Sequence, residues 1–321
     1  MTANPRRSKR IVVIGATGHI GTFLVPRLVA AGHEVVALSR GEREPYRPHQ
    51  AWAEVERVTI DRSKEEAAGT FGDRVAELRP DVVVDLICFT LASAQHLVRP
   101  LRQTDALLLH CGTMWVHGHS TIVPTTEKLP REPFGEYGIH KAQIEAWLLE
   151  ITRTKQIRAS CLHPGHIVGP GWRPVNPAGH LDPAVFVRLA KGEELALPNL
   201  GMETVHHVHA DDVAQSFELA ITNADKAVGE SFHICSPAAM TLRGYAEAIA
   251  AHFGQRARLV FLPWDEWRKT VTEEQARITW DHIAHSPNAS INKARERLGY
   301  APRYTSLQAV IESVEALGVR G

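Results

Sequence analysis

The sequence predicts an α/β protein, a doubly wound parallel sheet with a smaller, discontinuous C-terminal lobe. Three observations carry that prediction. Short runs rich in Val, Ile and Leu recur through the first half, as strands buried on both faces require. They alternate with helix-period segments, the pattern of right-handed βαβ units. The first run also leads through three glycines directly into a helical pattern. The 321 residues exceed one average domain, and 44% are hydrophobic, enough for a sizeable core. Thirty-six basic side chains balance 36 acidic ones, and that zero formal charge argues against holding nucleic acid by bulk electrostatics.

Residues 1–8 read as a loose polar tail. Arg10–Ile14 is the first strand, and residues 23–31 form a helix that stops at Gly32 and is locally restricted by Pro26. Further strands are predicted over 33–38, 55–60, 81–88, 106–110 and 159–162, with helices over 74–79, 92–102 and 137–152 between them. Residues 163–183 carry five prolines and four glycines and read as a loop or lid. A helix returns over 211–222, and the segment with Trp264, Trp267 and Trp280 reads as short helices of a cap. No apolar run reaches the roughly 18 residues of a membrane span, and the N-terminus lacks an apolar signal core. The four cysteines are scattered without CxxC spacing and read as reduced thiols of a cytoplasmic protein.

The chemistry begins at Gly15-Ala-Thr17-Gly18-His19-Ile20-Gly21, between a strand and a helix. Glycines there let the backbone approach a pyrophosphate, and the helix N-terminus offers free N–H groups and a positive dipole end. That assigns dinucleotide binding to 9–162 plus about 205–235, and substrate binding to about 163–204 plus 236–321. The second strand ends in Ser39-Arg40, with no carboxylate to accept from a ribose 2′-hydroxyl. A guanidinium suits a 2′-phosphate instead, which favours NADP over NAD. Tyr137 and Lys141 stand at i and i+4, so phenol and ammonium share one helix face. The cation is expected to lower the phenol pKa from near 10 and fit it for proton transfer. The sequence has eighteen histidines, and eleven of them fall from His96 to His209. They show no HExxH spacing, so no metal site is expected, and several are read as polar lining for a hydroxylated substrate.

Together these residues resemble the extended, atypical short-chain dehydrogenase/reductase superfamily, in its epimerase/dehydratase branch. The GxxGxxG spacing and Tyr137-x-x-x-Lys141 fit it, and so does Leu109-His-Cys-Gly-Thr113-Met114-Trp115-Val-His-Gly118. So do Leu162-His-Pro164-Gly165-His166-Ile-Val-Gly-Pro170, Val208-His-Ala-Asp-Asp-Val-Ala214 and Leu298-Gly-Tyr-Ala-Pro302, a likeness running from Arg10 to about Val314. The resemblance implies a Rossmann-like fold and a triad of Thr113, Tyr137 and Lys141. It places Asp61 and Arg62 beside the adenine, Leu86 in the cofactor groove, and Pro164, Gly165 and His166 against the nicotinamide. Met114, Trp115, His166, Arg173 and His207 are the implied substrate contacts. The implied activity is an NAD(P)-dependent epimerase or dehydratase acting on a hydroxyl or keto carbon of a sugar or sugar derivative. An NADPH-dependent ketone or sugar reductase is the alternative, and a non-catalytic dinucleotide- or RNA-binding protein the alternative from another class. The expected partner is a small sugar-like molecule, with no nucleic acid and no membrane. A homodimer through the tyrosine-bearing helices would fit the superfamily. Two positions depart from the family pattern in the Leu-Arg-x-x-Asn loop, His163 for arginine and His166 for asparagine. Val205 stands where an arginine is usual, so two diphosphate contacts are missing and an unlinked sugar becomes an option.

Overall fold

A computed structural model describes residues 8–320, so the tail read at 1–8 lies outside the described residues except for Ser8. All six predicted strands lie in one seven-stranded parallel sheet. They are β1 (Arg10–Ile14), β2 (Glu34–Ser39), β3 (Glu56–Thr59), β4 (Val82–Asp85), β5 (Leu107–Cys111) and β6 (Arg158–Pro164). With β11 (Ser231–Ile234), numbered along the chain, the order is β11-β6-β5-β4-β1-β2-β3. Strand direction follows from the pleat. Ile11 and Val13 of β1 point to one face, packing with Phe23, Leu24 and Leu28 of α1 (His19–Ala30) and Phe217 of α7 (Ala210–Thr222). Val12 and Ile14 point to the other, with Leu97 and Leu101 of α4 (Leu91–Leu101) and Ile144 and Leu148 of α5 (Gly135–Arg153). Two helical layers thus cover both faces, which is why these strands tolerate unbroken apolar sequence.

The remaining helices and strands have their own core. Phe186 and Leu189 of α6 (Ala184–Ala190) meet Leu195 and Leu197 of β8 (Glu194–Pro198) and Tyr245 and Ile249 of α9 (Leu242–His252). Trp267 of α10 (Trp264–Trp267) and Val310 of α13 (Ser306–Ala316) close that cluster. Trp267 is fully buried while Trp280 of α11 (Glu273–His285) stays half-exposed, so the cap tryptophans pack rather than form an open platform. Short pairs of β7 (His166–Val168) with β10 (His207–His209), β9 (Thr204–Val205) with β12 (Met240–Thr241), and β8 with β13 (Arg258–Leu262) tie this part together. Helices α8 (Ala224–Ala227) and α12 (Asn292–Leu298) pack back on the sheet side. Among the described residues, no helix is long and apolar enough to cross a membrane.

Several boundaries differ from the sequence reading. The strand read at 81–88 ends at Asp85, because the Asp85 side chain turns back to accept from the Ile87 N–H. The helix read at 74–79 starts a turn earlier, as α3 (Phe71–Glu77). A short α2 (Arg62–Ala67), capped by Asp61, went unread in a polar stretch. The supposed loop at 163–183 begins as structure: β6 runs on to Pro164 against β11, and β7 follows at once.

Candidate active site

The glycine turn has the geometry its sequence implies. Gly15 has φ +85°, a conformation that L side chains resist. A Cβ on Gly21 would lie 2.1 Å from the Ala16 carbonyl oxygen, so only glycine lets α1 pack so close to the turn. Gly18 caps α1 without a side-chain hydrogen bond, leaving the first-turn N–H groups uncapped by a side chain at the positive end of the helix. This cradle fits a dinucleotide pyrophosphate. Ile20 is instead buried in the core. His19 stacks between Trp172, at 4.8 Å between ring centroids, and Tyr46, whose hydroxyl meets its Nδ1. Burial pushes the His19 pKa down to about 3, so the ring beside the cradle is neutral. At the end of β2, Ser39 Oγ accepts from Gly41 N–H, and Arg40 is exposed, 3.1 Å from Glu42. A cleft of about 210 Å³ lies here, lined by residues that include Thr17, Ser39, Gly41, Arg43 and Thr59.

Three side chains converge where β5 ends. Thr113 follows the strand, with its hydroxyl oxygen accepting from Trp115 N–H at 3.3 Å. Tyr137 opens α5, its ring 41% exposed and edge-on to Trp115 at 5.8 Å. Lys141, one turn on, is buried and donates to the Cys88 and Cys111 carbonyl oxygens, both at 2.7 Å. Its ammonium lies 5.8 Å from the Tyr137 ring centroid. Burial lowers the Lys141 pKa. The expected acidified phenol is not what this geometry gives. Burial, with Cys111 nearby, pushes Tyr137 up to about 12 against the Thr113 hydrogen bond, while the Lys141 ammonium donates to the Cys88 and Cys111 carbonyls.

Beneath this trio lies a network that the sequence reading missed. Thr113 N–H donates to His163 Nδ1 at 3.0 Å, and His163 Nε2 lies 3.0 Å from Glu145 Oε1 with a bent approach. Arg131 grips both Glu145 oxygens, at 2.7 and 3.0 Å, and also reaches Ser231 Oγ. Burial alone would raise the Glu145 carboxyl, but His163 and Arg131 beside it hold it well below the usual carboxylate range. The one signal in sequence was Glu145 four residues past Lys141, on the same helix face.

A second cluster faces Trp115. His285 stacks on it at 4.1 Å, and His282 meets it edge-on at 5.5 Å. His166 lies 4.9 Å from His282 and 5.6 Å from His207, its partner in the β7–β10 register. Both ring nitrogens of His166, Nδ1 of His207 and Nε2 of His285 are buried and have no partner among the described residues. Burial drives His207 to about 3 and His285 to about 4, and His166 well below its usual value. Among the described residues no three His, Cys, Asp or Glu side chains are placed to hold a metal ion.

The other predicted positions are scattered in role. Arg62 turns inward to Asp85, at 2.8 Å, and Glu66, while Asp61 spends one oxygen capping α2. Leu86 packs partly buried against the core, its N–H on the Ile14 carbonyl. Met114 is buried in the core and Arg173 is exposed. Pro164 is buried at the end of β6, and a Cβ on Gly165 would lie 2.3 Å from the His206 carbonyl oxygen. Val205 is fully buried in the third core, so no charge stands there.

Comparison with known proteins adds context. The model of the NAD dependent epimerase/dehydratase family matches residues 11–235. The chain is similar to 2′-dehydrokanamycin reductase of Streptomyces kanamyceticus, 27% identical over 85% of this chain and 76% of the relative. It is also similar to the chloroplast stem-loop binding protein of 41 kDa b of Arabidopsis thaliana, 24% identical over 95% of this chain and 78% of that one. Among solved structures, UDP-glucose 4-epimerase of Thermus thermophilus in complex with NAD superposes with TM-score 0.71. That match has 19% identity and covers 96% of this chain and 99% of that one.

Proposed function

The chain belongs to the NAD dependent epimerase/dehydratase family, and from that premise we propose an NAD(P)-dependent oxidoreductase or epimerase for a sugar or sugar-derived hydroxyl or keto carbon. The observation that carries this reading is the meeting of Thr113, Tyr137 and Lys141 at the end of β5, on the same edge of the sheet as the glycine turn. The pyrophosphate is assigned to the turn at Gly15, Gly18 and Gly21, and the substrate to the lobe of residues about 163–204 and 236–321. When bound, the nicotinamide supplies the hydride acceptor or donor. Tyr137 takes the proton of the substrate hydroxyl in its phenolate form, reached once the site is filled, or gives the phenol proton to the ketone in the reverse direction. Thr113 orients that oxygen through its hydroxyl. Lys141 fixes the floor beside the phenol by holding the Cys88 and Cys111 carbonyls.

Ser39, Arg40 and the adjoining cleft with Thr17 and Arg43 support NADP over NAD, since a guanidinium-bearing rim suits a 2′-phosphate. The same feature, and a reductase among the relatives, supports a second reading, reduction with a dissociating NADPH. RNA binding in place of turnover is not supported by the zero formal charge. Four unpaired, buried cysteines suit the reducing cytoplasm. A homodimer through the α5 helices, which carry Tyr137, completes the proposal.

The test is Tyr137→Phe beside the wild type, titrated with NADP⁺ and NAD⁺ and assayed on sugars and keto-sugars, nucleotide-linked and free. The expected result is turnover reduced at least about 10³-fold, with dinucleotide affinity within twofold of wild type. Unchanged turnover overturns the assigned proton transfer. Tighter NAD⁺ than NADP⁺ binding overturns the assignment of Arg40.

A further inference from the structure

The end of β5 is pinned at three consecutive residues. Lys141 holds the Cys111 carbonyl at 2.7 Å, Gly112 N–H donates to the Leu162 carbonyl at 2.7 Å, and Thr113 N–H donates to His163 Nδ1 at 3.0 Å. The His163 ring lies so close to Gly112 that a Cβ there would come within 2.2 Å of Nδ1. A backbone N–H can only donate, so Nδ1 must carry a lone pair. The imidazole proton then sits on Nε2, facing Glu145 Oε1 at 3.0 Å, while Arg131 holds that carboxylate from behind. Tyr137, Lys141 and Glu145 are spaced at i, i+4 and i+8 on α5, so one helix face supplies the phenol, a direct clamp on Cys111 and an indirect clamp on Thr113.

We propose that His163, held in its Nε2–H tautomer by the Thr113 N–H that its Nδ1 accepts and facing the Arg131–Glu145 pair with Nε2, is a positioning residue that sets the Thr113 hydroxyl against Tyr137. It touches neither substrate nor cofactor in this role. Its effect passes through the Thr113 backbone, whose hydroxyl is otherwise tied only to Trp115 N–H and the phenol. The inference rests on the reading of Thr113 as the hydroxyl that orients the substrate oxygen.

Three measurements test it on the full chain. With ¹⁵N-labelled histidine, the His163 ring at pH 7 is expected as the neutral Nε2–H tautomer. An Nδ1–H tautomer or an imidazolium overturns the proposal without any variant. A pair of variants then separates the two sides of the ring. His163→Asn can place its amide oxygen where Nδ1 accepts, whereas His163→Leu removes the acceptor. Protection of the Thr113 amide from hydrogen exchange should survive in His163→Asn and fall by about 100-fold in His163→Leu. With a substrate in hand, His163→Leu should lose about 10- to 100-fold in kcat, with KM and dinucleotide affinity within twofold, and His163→Asn should recover most of it. Turnover within twofold of wild type in folded His163→Leu, or no recovery in His163→Asn, overturns the role. Should His163→Leu not fold, the wild-type tautomer and His163→Asn still decide. Absence of turnover in the wild type would count against the enzyme reading, while the tautomer and the amide would still decide whether His163 holds Thr113.

Discussion

The two sides of Trp115 handle buried polar groups in opposite ways. On the α5 side the central groups hold protein partners: Lys141 two carbonyls, Glu145 the Arg131 guanidinium, and His163 Nδ1 the Thr113 N–H, with Nε2 alone left in a bent 3.0 Å approach to Glu145. On the side formed by β7, β10 and α11, His166, His207 and His285 keep buried ring nitrogens without protein partners. Leaving such a nitrogen unsatisfied costs roughly 1–3 kcal/mol, so a fold keeps it where something other than the protein completes it. The wired side therefore reads as geometry fixed in advance, and the unwired side as lining that a bound molecule completes. All of these unwired rings are neutral through burial, which suits hydroxyl groups better than phosphates.

The strongest way to break the contrast is to cut the wired side at Glu145. The carboxylate is almost wholly buried between Arg131 and His163, so Glu145→Leu takes the counter-charge from a part-buried guanidinium that keeps the Glu127 and Leu129 carbonyls and Ser231 Oγ. Breaking a fully buried pair costs about 3–5 kcal/mol, so this part-buried one should cost about 2–3 kcal/mol, read as a drop in denaturant midpoint. The sign with pH follows from the depressed carboxyl. Its contribution is complete above the ordinary glutamate pKa and drains as pH falls toward the lower folded value. Wild type should therefore lose stability below about pH 4 more steeply than Glu145→Gln. Equal acid sensitivity in the two proteins would show that the pair does not hold the site.

How much of this was legible in sequence depended on range. The strands were visible because both faces of Ile11–Ile14 are covered by helices, which leaves an unbroken apolar run. The glycine turn was visible because φ +85° at Gly15 and the contact at Gly21 admit one residue type. The Thr113–Tyr137–Lys141 grouping was readable through helical spacing and the family resemblance. Arg131 was not, since its side-chain partners lie 14 and 100 residues away and nothing local marks a guanidinium that will turn inward. His163 looked like a lost arginine, but its imidazole accepts from Thr113 N–H and faces the Glu145 that Arg131 holds. Arg62 was read toward the adenine because it follows Asp61, yet Asp85 on a neighbouring strand captures it. The tautomers and the Tyr137 shift depend on burial, which no spacing encodes.

A smaller effect sharpens the unwired side. His166→Leu removes two nitrogens with no protein partner, and His207→Leu removes a donor to the Val175 carbonyl, which still keeps the Tyr245 hydroxyl at 3.0 Å. Both variants should stay within about 1 kcal/mol of wild-type stability, because no satisfied bond is broken without a substitute. Substrate KM should rise about tenfold, worth about 1.4 kcal/mol, with dinucleotide affinity unchanged. A loss of stability comparable to that of Glu145→Leu would make these histidines structural and dissolve the contrast.

The smallest signal concerns what wiring does to the phenol. Lys141 is close to Tyr137, but its ammonium is turned to the Cys88 and Cys111 carbonyls, and burial pushes the phenol up to about 12. Position and acidity are therefore separate properties of this face: the lysine secures the first without supplying the second in the free protein. Ultraviolet difference titration of wild type against Tyr137→Phe isolates this one tyrosine among five. The free protein should show no tyrosinate from Tyr137 up to about pH 10, the ordinary midpoint of the side chain. A midpoint at or below that value would mean that Lys141 acidifies the phenol directly, across its carbonyl contacts. A higher midpoint leaves activation of Tyr137 to the bound state, so that the wired side, too, is completed only when the site is filled.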